Sequence, residues 1–339
     1  MPNATAGIVL LIIAGVMNAG FTIPMKYTKK WAWENTWIVW SLYALLIMPA
    51  LTAYLTVPQL STVYAQAGVR NVVLVAVCGF AWGIAQVLFG LSVASIGIAL
   101  AFAIVLGLSA AIGSLIPLIQ LHPEKIFTPA GIGVIVGVVL VVAGVSVCAV
   151  AGKRREKGTE QKQQSGMPFS AGLACAILAG LGAAAMNFGV AFGGAVTKAA
   201  QSNGAAPNWT INAVWFPLMV AGAIPSIAYC AYLMQKNKTS GNFKLPATAS
   251  YYGLALVMAI FWFASTIMYG VASGKLGELG PVLGWPFFMS LIVIMASIFG
   301  VITGEWKHAA RSSLCIQMAG VGILVIAVIV LSRAGQYVG

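Results

Sequence analysis

The chain has 339 residues, 60% of them hydrophobic and 7% charged, with a mean hydropathy of +0.96. Soluble domains carry about 25% charged residues. A water-soluble protein is therefore excluded, and repeated apolar runs of roughly 20 residues mark a polytopic, all-α membrane protein. The formal charge of +12 is no nucleic-acid signature, because the basic residues sit in short connections between apolar runs.

Ten spans are predicted, over about 7–24, 36–57, 71–92, 96–120, 128–151, 170–190, 211–234, 250–272, 279–303 and 312–332. No basic n-region precedes the first, so a cleaved signal peptide is not expected. Between the fifth and sixth spans runs Gly152–Pro168, GKRREKGTEQKQQSGMP, too polar for a bilayer. It divides the chain into five spans (1–151), a charged linker (152–168) and five more spans (169–339). If the two sets are homologous, an odd number of spans in each forces opposite insertion, which is the inverted-repeat architecture.

Internal echoes support two repeats. Gly7, Ala14 and Gly15 recur as Gly172, Ala179 and Gly180 at a constant offset of 165, and Met17-Asn18 is matched by Met186-Asn187. In the stretch Trp82–Gly107, Gln86 stands alone in an apolar run that breaks at Ser95 and Gly97. Trp82, Phe89, Gly90 and Gly97 reappear 180 residues later as Trp262, Tyr269, Gly270 and Gly277. Interrupted segments at matching places in two halves point to the central site of a transporter. Gly107, Gly113 and Pro117 in the fourth span, and Gly280, Gly284 and Pro286 in the ninth, suggest broken or bendable helices for alternating access. Glu124-Lys125 and Glu305-Trp306-Lys307 close these two spans.

Orientation follows from the basic residues. The connections that contain Lys26, Lys29 and Lys30, the linker, Lys236 to Lys244, and Lys307 with Arg311 hold 13 Lys and Arg; those of the other side hold 5. The richer side is expected in the cytoplasm, with both termini outside. The five cysteines lie in apolar runs without CxxC spacing and read as small hydrophobes, so neither disulfide, metal nor other cofactor is implied.

The stretch Pro24-x-Lys26-x-x-Lys29-Lys30-Trp31-x-Trp33-Glu34, with Trp82-Gly83-Ile84 and Gly90-Leu91 beyond it, resembles the L-rhamnose–proton symporter family of the drug/metabolite transporter superfamily. The likeness runs over essentially the whole chain. It implies ten helices in two inverted five-helix repeats, a central site, and uptake of a deoxysugar with a proton. Departures from the family pattern fall at Leu11, where members carry histidine, and at Gln86, where they carry asparagines. A third is the apolar run Gly280–Pro286, where members open their ninth span with polar and acidic residues.

Polar side chains inside a span are costly and face a protein interior or a water-filled cavity. Asn18, Gln86, Asn187 and Thr266 are the candidates for sugar hydroxyls, with Asn212 and Gln317 also intramembrane. Trp82, Trp262 and Trp285 offer stacking faces. The alternative for the amides is helix-to-helix bonding, and for the indoles packing or an interfacial belt. For a proton-linked or gating group the candidates are Glu278 at the mouth of span nine, Glu34 and Lys26; ion pairing, capping and positive-inside anchoring are the plainer roles. Together these readings describe a secondary transporter of the bacterial inner membrane, a monomer or weak dimer, that takes up a small neutral sugar by proton symport. An uncoupled carrier or exporter of another metabolite is the rival. A membrane enzyme would need clustered acids, histidines or a nucleophile, which the sequence lacks.

Overall fold

The computed structural model describes residues 3–156, 167–304, 306–307 and 309–337. Glu305, expected to close the ninth span, His308 and most of the charged linker lie outside them. Among the described residues all regular structure is helical, and ten helices are long and apolar enough to cross a membrane. They are α1 Ala4–Tyr27, α2 Trp33–Thr56, α3 Val69–Ile96, α4 Ile98–Leu121, α5 Pro129–Arg155, α6 Phe169–Ser202, α7 Asn212–Asn237, α8 Ala249–Lys275, α9 Gly280–Ile302 and α10 Arg311–Gln336.

Helices α3 and α4 are joined by Gly97 alone. Its φ of +86° is open to glycine at little cost, and it serves as the C-cap of one helix and the N-cap of the next. Gly277, its echo at the α8–α9 turn, has φ +79°. Ser95 causes no break: it lies inside α3, and its hydroxyl reaches the carbonyls of Met167 and Pro168 at 3.4 and 3.5 Å.

Lipid tails are as apolar as leucine, so these helices associate through close packing of small residues. The glycines repeated at offset 165 do matching work. A Cβ on Gly7 of α1 would press on Leu276 at the end of α8, and one on Gly172 of α6 would meet Ser95 and Ile96 at the end of α3. Gly15 sits against Leu291 of α9, and Gly180 against Leu108 of α4. Helix α1 thus packs on α8 and α9, while α6 packs on α3 and α4. Likewise α2 touches α8, α7 touches α3, and α5 runs along α10. In these pairs the contact made by one set of five helices has a counterpart with the roles exchanged. The first helix of either set is built into the other set.

The prolines act differently from the expectation for α4 and α9. Both helices are continuous through Pro117 and Pro286. A helical proline frees the carbonyl four residues earlier, and in a membrane that carbonyl needs another donor. The carbonyl of Gly113, freed by Pro117, accepts from Asn187 Nδ2 at 2.7 Å. That of Val282, freed by Pro286, accepts from Ser114 Oγ at 2.6 Å. In α7 the Ala213 carbonyl, freed by Pro217, accepts from Tyr64 Oη at 3.0 Å. Donors on neighbouring helices thus keep the proline-bearing helices intact.

Candidate functional site

The end of the bundle carrying the α1–α2, α7–α8 and α9–α10 connections is rich in lysine. From it a row of indoles runs toward mid-bundle. Trp33 and Trp37 stack at 5.0 Å and 20°, Trp37 meets Trp40 at 4.5 Å, and Trp40 stands edge-on to Trp262 at 5.2 Å. Trp262 stacks on Trp82 at 5.6 Å and 26°. The two tryptophans singled out as a repeat pair are therefore in face-to-face contact. Phe21 flanks the row at 5.7 Å from Trp40.

Two of the expected amides border this row. Gln86, one turn beyond Trp82 on α3, lines a crevice with Trp33, Trp37, Val87, Ser226 and Tyr229. No hydrogen bond uses its side chain among the described residues. Asn18 donates to Ser265 Oγ at 2.9 Å, and Ser265 donates to the Trp262 carbonyl at 2.6 Å. Trp40 is 3% exposed, and its Nε1 has no partner among the described residues. An unpaired buried donor is expensive. The crevice holds about 10 Å³, room for about one water molecule, so the helices are closed together here.

A second group lies toward the opposite end. Asn187 is fully buried; its Nδ2 donates to the carbonyls of Gly113 and Pro281, and its Oδ1 accepts from Tyr269 Oη. Trp285 Nε1 donates to the Ser109 carbonyl at 3.0 Å, and its ring is edge-on to Tyr269 at 5.4 Å. Thr266 bonds back to the Trp262 carbonyl at 3.0 Å. The Asn187 amide group and the Trp285 N–H are engaged by protein, and together they tie α4, α6, α8 and α9 to one another. Thr266 thus touches the indole row through Trp262, whereas the hydrogen bonds of Asn187 and Trp285 reach none of Gln86, Asn18, Trp82 and Trp262.

The three acidic residues whose side chains are described, the candidates Glu278 and Glu34 and the span-closing Glu124, differ sharply. Glu278 is exposed and pairs with Lys125 of the α4–α5 connection at 3.5 Å, rather than with the neighbouring Lys275. Glu124 is exposed beside His122 at 3.9 Å. Glu34 is 4% exposed, and its Oε1 accepts from Asn237 Nδ2 at 2.9 Å and Thr239 Oγ1 at 2.8 Å. Around it the α1–α2 and α7–α8 connections are clasped. Asn35 donates to the Thr239 carbonyl at 3.0 Å, Lys30 to that of Pro246 at 2.8 Å, and Trp31 sits edge-on among Phe243, Tyr251 and Tyr252. Lys26 projects from the 3₁₀ turn Ile23–Tyr27 on the exposed side of the same connection. Among the described residues no three His, Cys, Asp or Glu side chains gather as a metal site.

Sequence reasoning missed Trp33, Trp37 and Trp40 as a group. Their spacing of four and three residues put all three on one helical face, a signal available from the start.

Ten membrane-length helices around a buried polar and aromatic centre define a multi-pass membrane protein. Residues 1–335 match the model of the L-rhamnose-proton symport protein (RhaT) family, and the chain belongs to that family. Among its relatives, the L-rhamnose-proton symporter of Yersinia pestis (strain Pestoides F) is 24% identical over 330 residues, 95% of either chain. That of Salmonella paratyphi B (strain ATCC BAA-1250 / SPB7) is 25% identical over 335 residues, 96% of this chain and 97% of the relative.

Proposed function

We propose that this protein imports L-rhamnose, or a closely similar deoxyhexose, together with a proton across the bacterial inner membrane. The observation that carries the reading is the indole row bordered by Gln86 and Asn18. A sugar offers an apolar ring face for stacking and a rim of hydroxyls for hydrogen bonds. Trp82, Trp262, Trp37 and Trp40 supply faces, the Gln86 amide and the Trp40 N–H supply unused partners, and Asn18 keeps an acceptor oxygen. Family membership and the names of the relatives support the same substrate class.

The lysine-rich end faces the cytoplasm and both termini lie outside, by the excess of basic residues in its connections. The exchanged helix contacts favour two inverted five-helix repeats, 1–151 and 169–339. Alternating access then requires the Asn187–Trp285–Thr266 region to act as a seal toward the outside that parts when the substrate enters. The transporting unit is a single chain, alone or in a weak dimer.

Of the acids, burial favours Glu34 as the proton-linked group over Glu278. Its negative charge strengthens the bonds from Asn237 and Thr239. Protonation removes that charge and loosens the clasp between the α1–α2 and α7–α8 connections, which couples the proton to helix movement. Glu278 with Lys125, and Lys26, take gating roles at opposite ends.

The test is addition of L-rhamnose to energy-starved cells expressing the protein, in weakly buffered medium. Uptake accompanied by an alkaline shift is expected. Uptake without that shift would remove the proton from the cycle, and absence of uptake would refute the substrate.

A further inference from the structure

A cavity of about 210 Å³ lies apart from the indole row, between α4 and α9 and backed by α5 and α10. Its lining reaches the lysine-rich end, where the Arg155 guanidinium lies 4.9 Å from the centre of the Trp306 ring. Phe102, Leu106, Ile292 and Val293 form apolar walls. Cys148 and Gln317 lie deeper. Seven residues of α5 separate Cys148 from Arg155, roughly 10 Å along the helix.

Gln317 is 6% exposed, and its Nε2 donates to Ser297 Oγ at 2.7 Å. Ser297 passes its own proton to the Val293 carbonyl at 2.7 Å. The Oε1 and the second N–H of Gln317 are used by no hydrogen bond among the described residues. Buried polar groups are ordinarily partnered, and this amide lines an open cavity instead.

We propose that this cavity is a second sugar station, on the side of the lysine-rich end, where Gln317 and Ser297 hold ring hydroxyls. The wall of Phe102, Ile292 and Val293 takes the methyl group that a 6-deoxyhexose carries in place of a hydroxymethyl. The inference rests on the deoxysugar reading above and adds to it a site and a basis for selectivity. The volume falls below the roughly 300 Å³ at which pockets for larger ligands begin, which suits one small ring. An amide and a hydroxyl at the inner end suit a hydroxylated ring better than the tail of a lipid. Helix α9 is the partition between the two stations, since Leu291 packs on Gly15 of α1 while Ile292 and Val293 face the cavity. Displacement of α9 would therefore pass the sugar from one to the other.

An apolar wall rejects an added hydroxyl only moderately, by up to about 100-fold. L-mannose, which differs from L-rhamnose by that hydroxyl, is expected to bind about 10- to 100-fold more weakly. The experiment uses the full chain with Cys175 and Cys315 replaced by serine, Cys148 of the cavity lining replaced by alanine, and Ala296, also on the lining, replaced by cysteine. Vesicles exposing the lysine-rich end are treated with an impermeant maleimide. L-rhamnose is expected to slow labelling several-fold, and L-mannose to do so only at far higher concentration. Gln317→Leu should raise the half-saturating L-rhamnose concentration by about ten-fold or more, the effect of one lost polar contact, with a thermal midpoint in sugar-free detergent lowered only by the loss of its one bond to Ser297. Labelling indifferent to L-rhamnose in vesicles that still transport it, or protection by an anionic lipid in place of sugar, overturns the second station alone. Vesicles of the unsubstituted protein that neither bind nor transport L-rhamnose overturn the proposed function itself.

Discussion

Replacing Asn187 by leucine removes three hydrogen bonds from the seal while keeping the number and branching of side-chain heavy atoms. Its partners are the Gly113 and Pro281 carbonyls and the Tyr269 hydroxyl, all in the protein interior. Hydrogen bonds between membrane helices average about 0.6 kcal/mol each, so the loss amounts to about 2 kcal/mol. The Gly113 carbonyl, already freed by Pro117, is left without its donor, which pushes the cost upward. If the network exists only in this conformation, about 2 kcal/mol changes its equilibrium with the alternative state roughly 30-fold. A cysteine placed at Ser109, beside Trp285, should then become far more accessible to an impermeant thiol reagent from the lysine-poor side. Tyr269→Phe removes one of the same bonds. The double variant should therefore fall short of additivity by about the worth of that bond, near 0.6 kcal/mol. Unchanged labelling in Asn187→Leu, together with strict additivity in the double variant, would refute the idea that these side chains hold one end shut.

Gln86→Leu should abolish L-rhamnose uptake without altering membrane insertion, measured by transport and by quantitative blotting; undiminished uptake removes Gln86 from the site. Glu34→Gln should retain sugar binding yet end the sugar-induced alkaline shift, read with a pH electrode, whereas Glu278→Gln should leave that shift intact. Survival of the shift in the first and its loss in the second would reverse the assignment. Gly97→Ala and Gly277→Ala should each lower stability by about 1–2 kcal/mol, because an L-residue is strained at positive φ. Thermal unfolding in detergent measures this, and an unchanged midpoint would mean that the turns relax. Gly83→Val should separate α3 from α7, since even a Cβ there would collide with the Gly222 carbonyl. Loss of folded monomer in size-exclusion chromatography is the expected result.

Much of this molecule was legible before any coordinates. Hydropathy alone places ten helices, because a bilayer demands about 20 apolar residues per crossing. The glycines at offset 165 and the Gly97–Gly277 pair marked real structural roles, since only glycine allows those contacts and those φ angles. Local sequence could not say which carbonyls a proline would orphan usefully, because the rescuing donor comes from another helix. Asn187, expected from sequence to face sugar hydroxyls, donates in the folded chain to the carbonyl that Pro117 frees. Glu278 and Glu34 are equally acidic in sequence, yet one lies in solvent with Lys125 and the other beneath the α7–α8 connection. The cavity at Gln317 has walls from four helices spread over more than 200 residues, so no window of sequence reveals it. Composition and periodicity determine which segments cross the bilayer, because each segment meets the lipid on its own. Which polar side chains are spent on protein and which remain for a guest depends on the neighbours that the folded chain brings to them, and only the tertiary structure decides it.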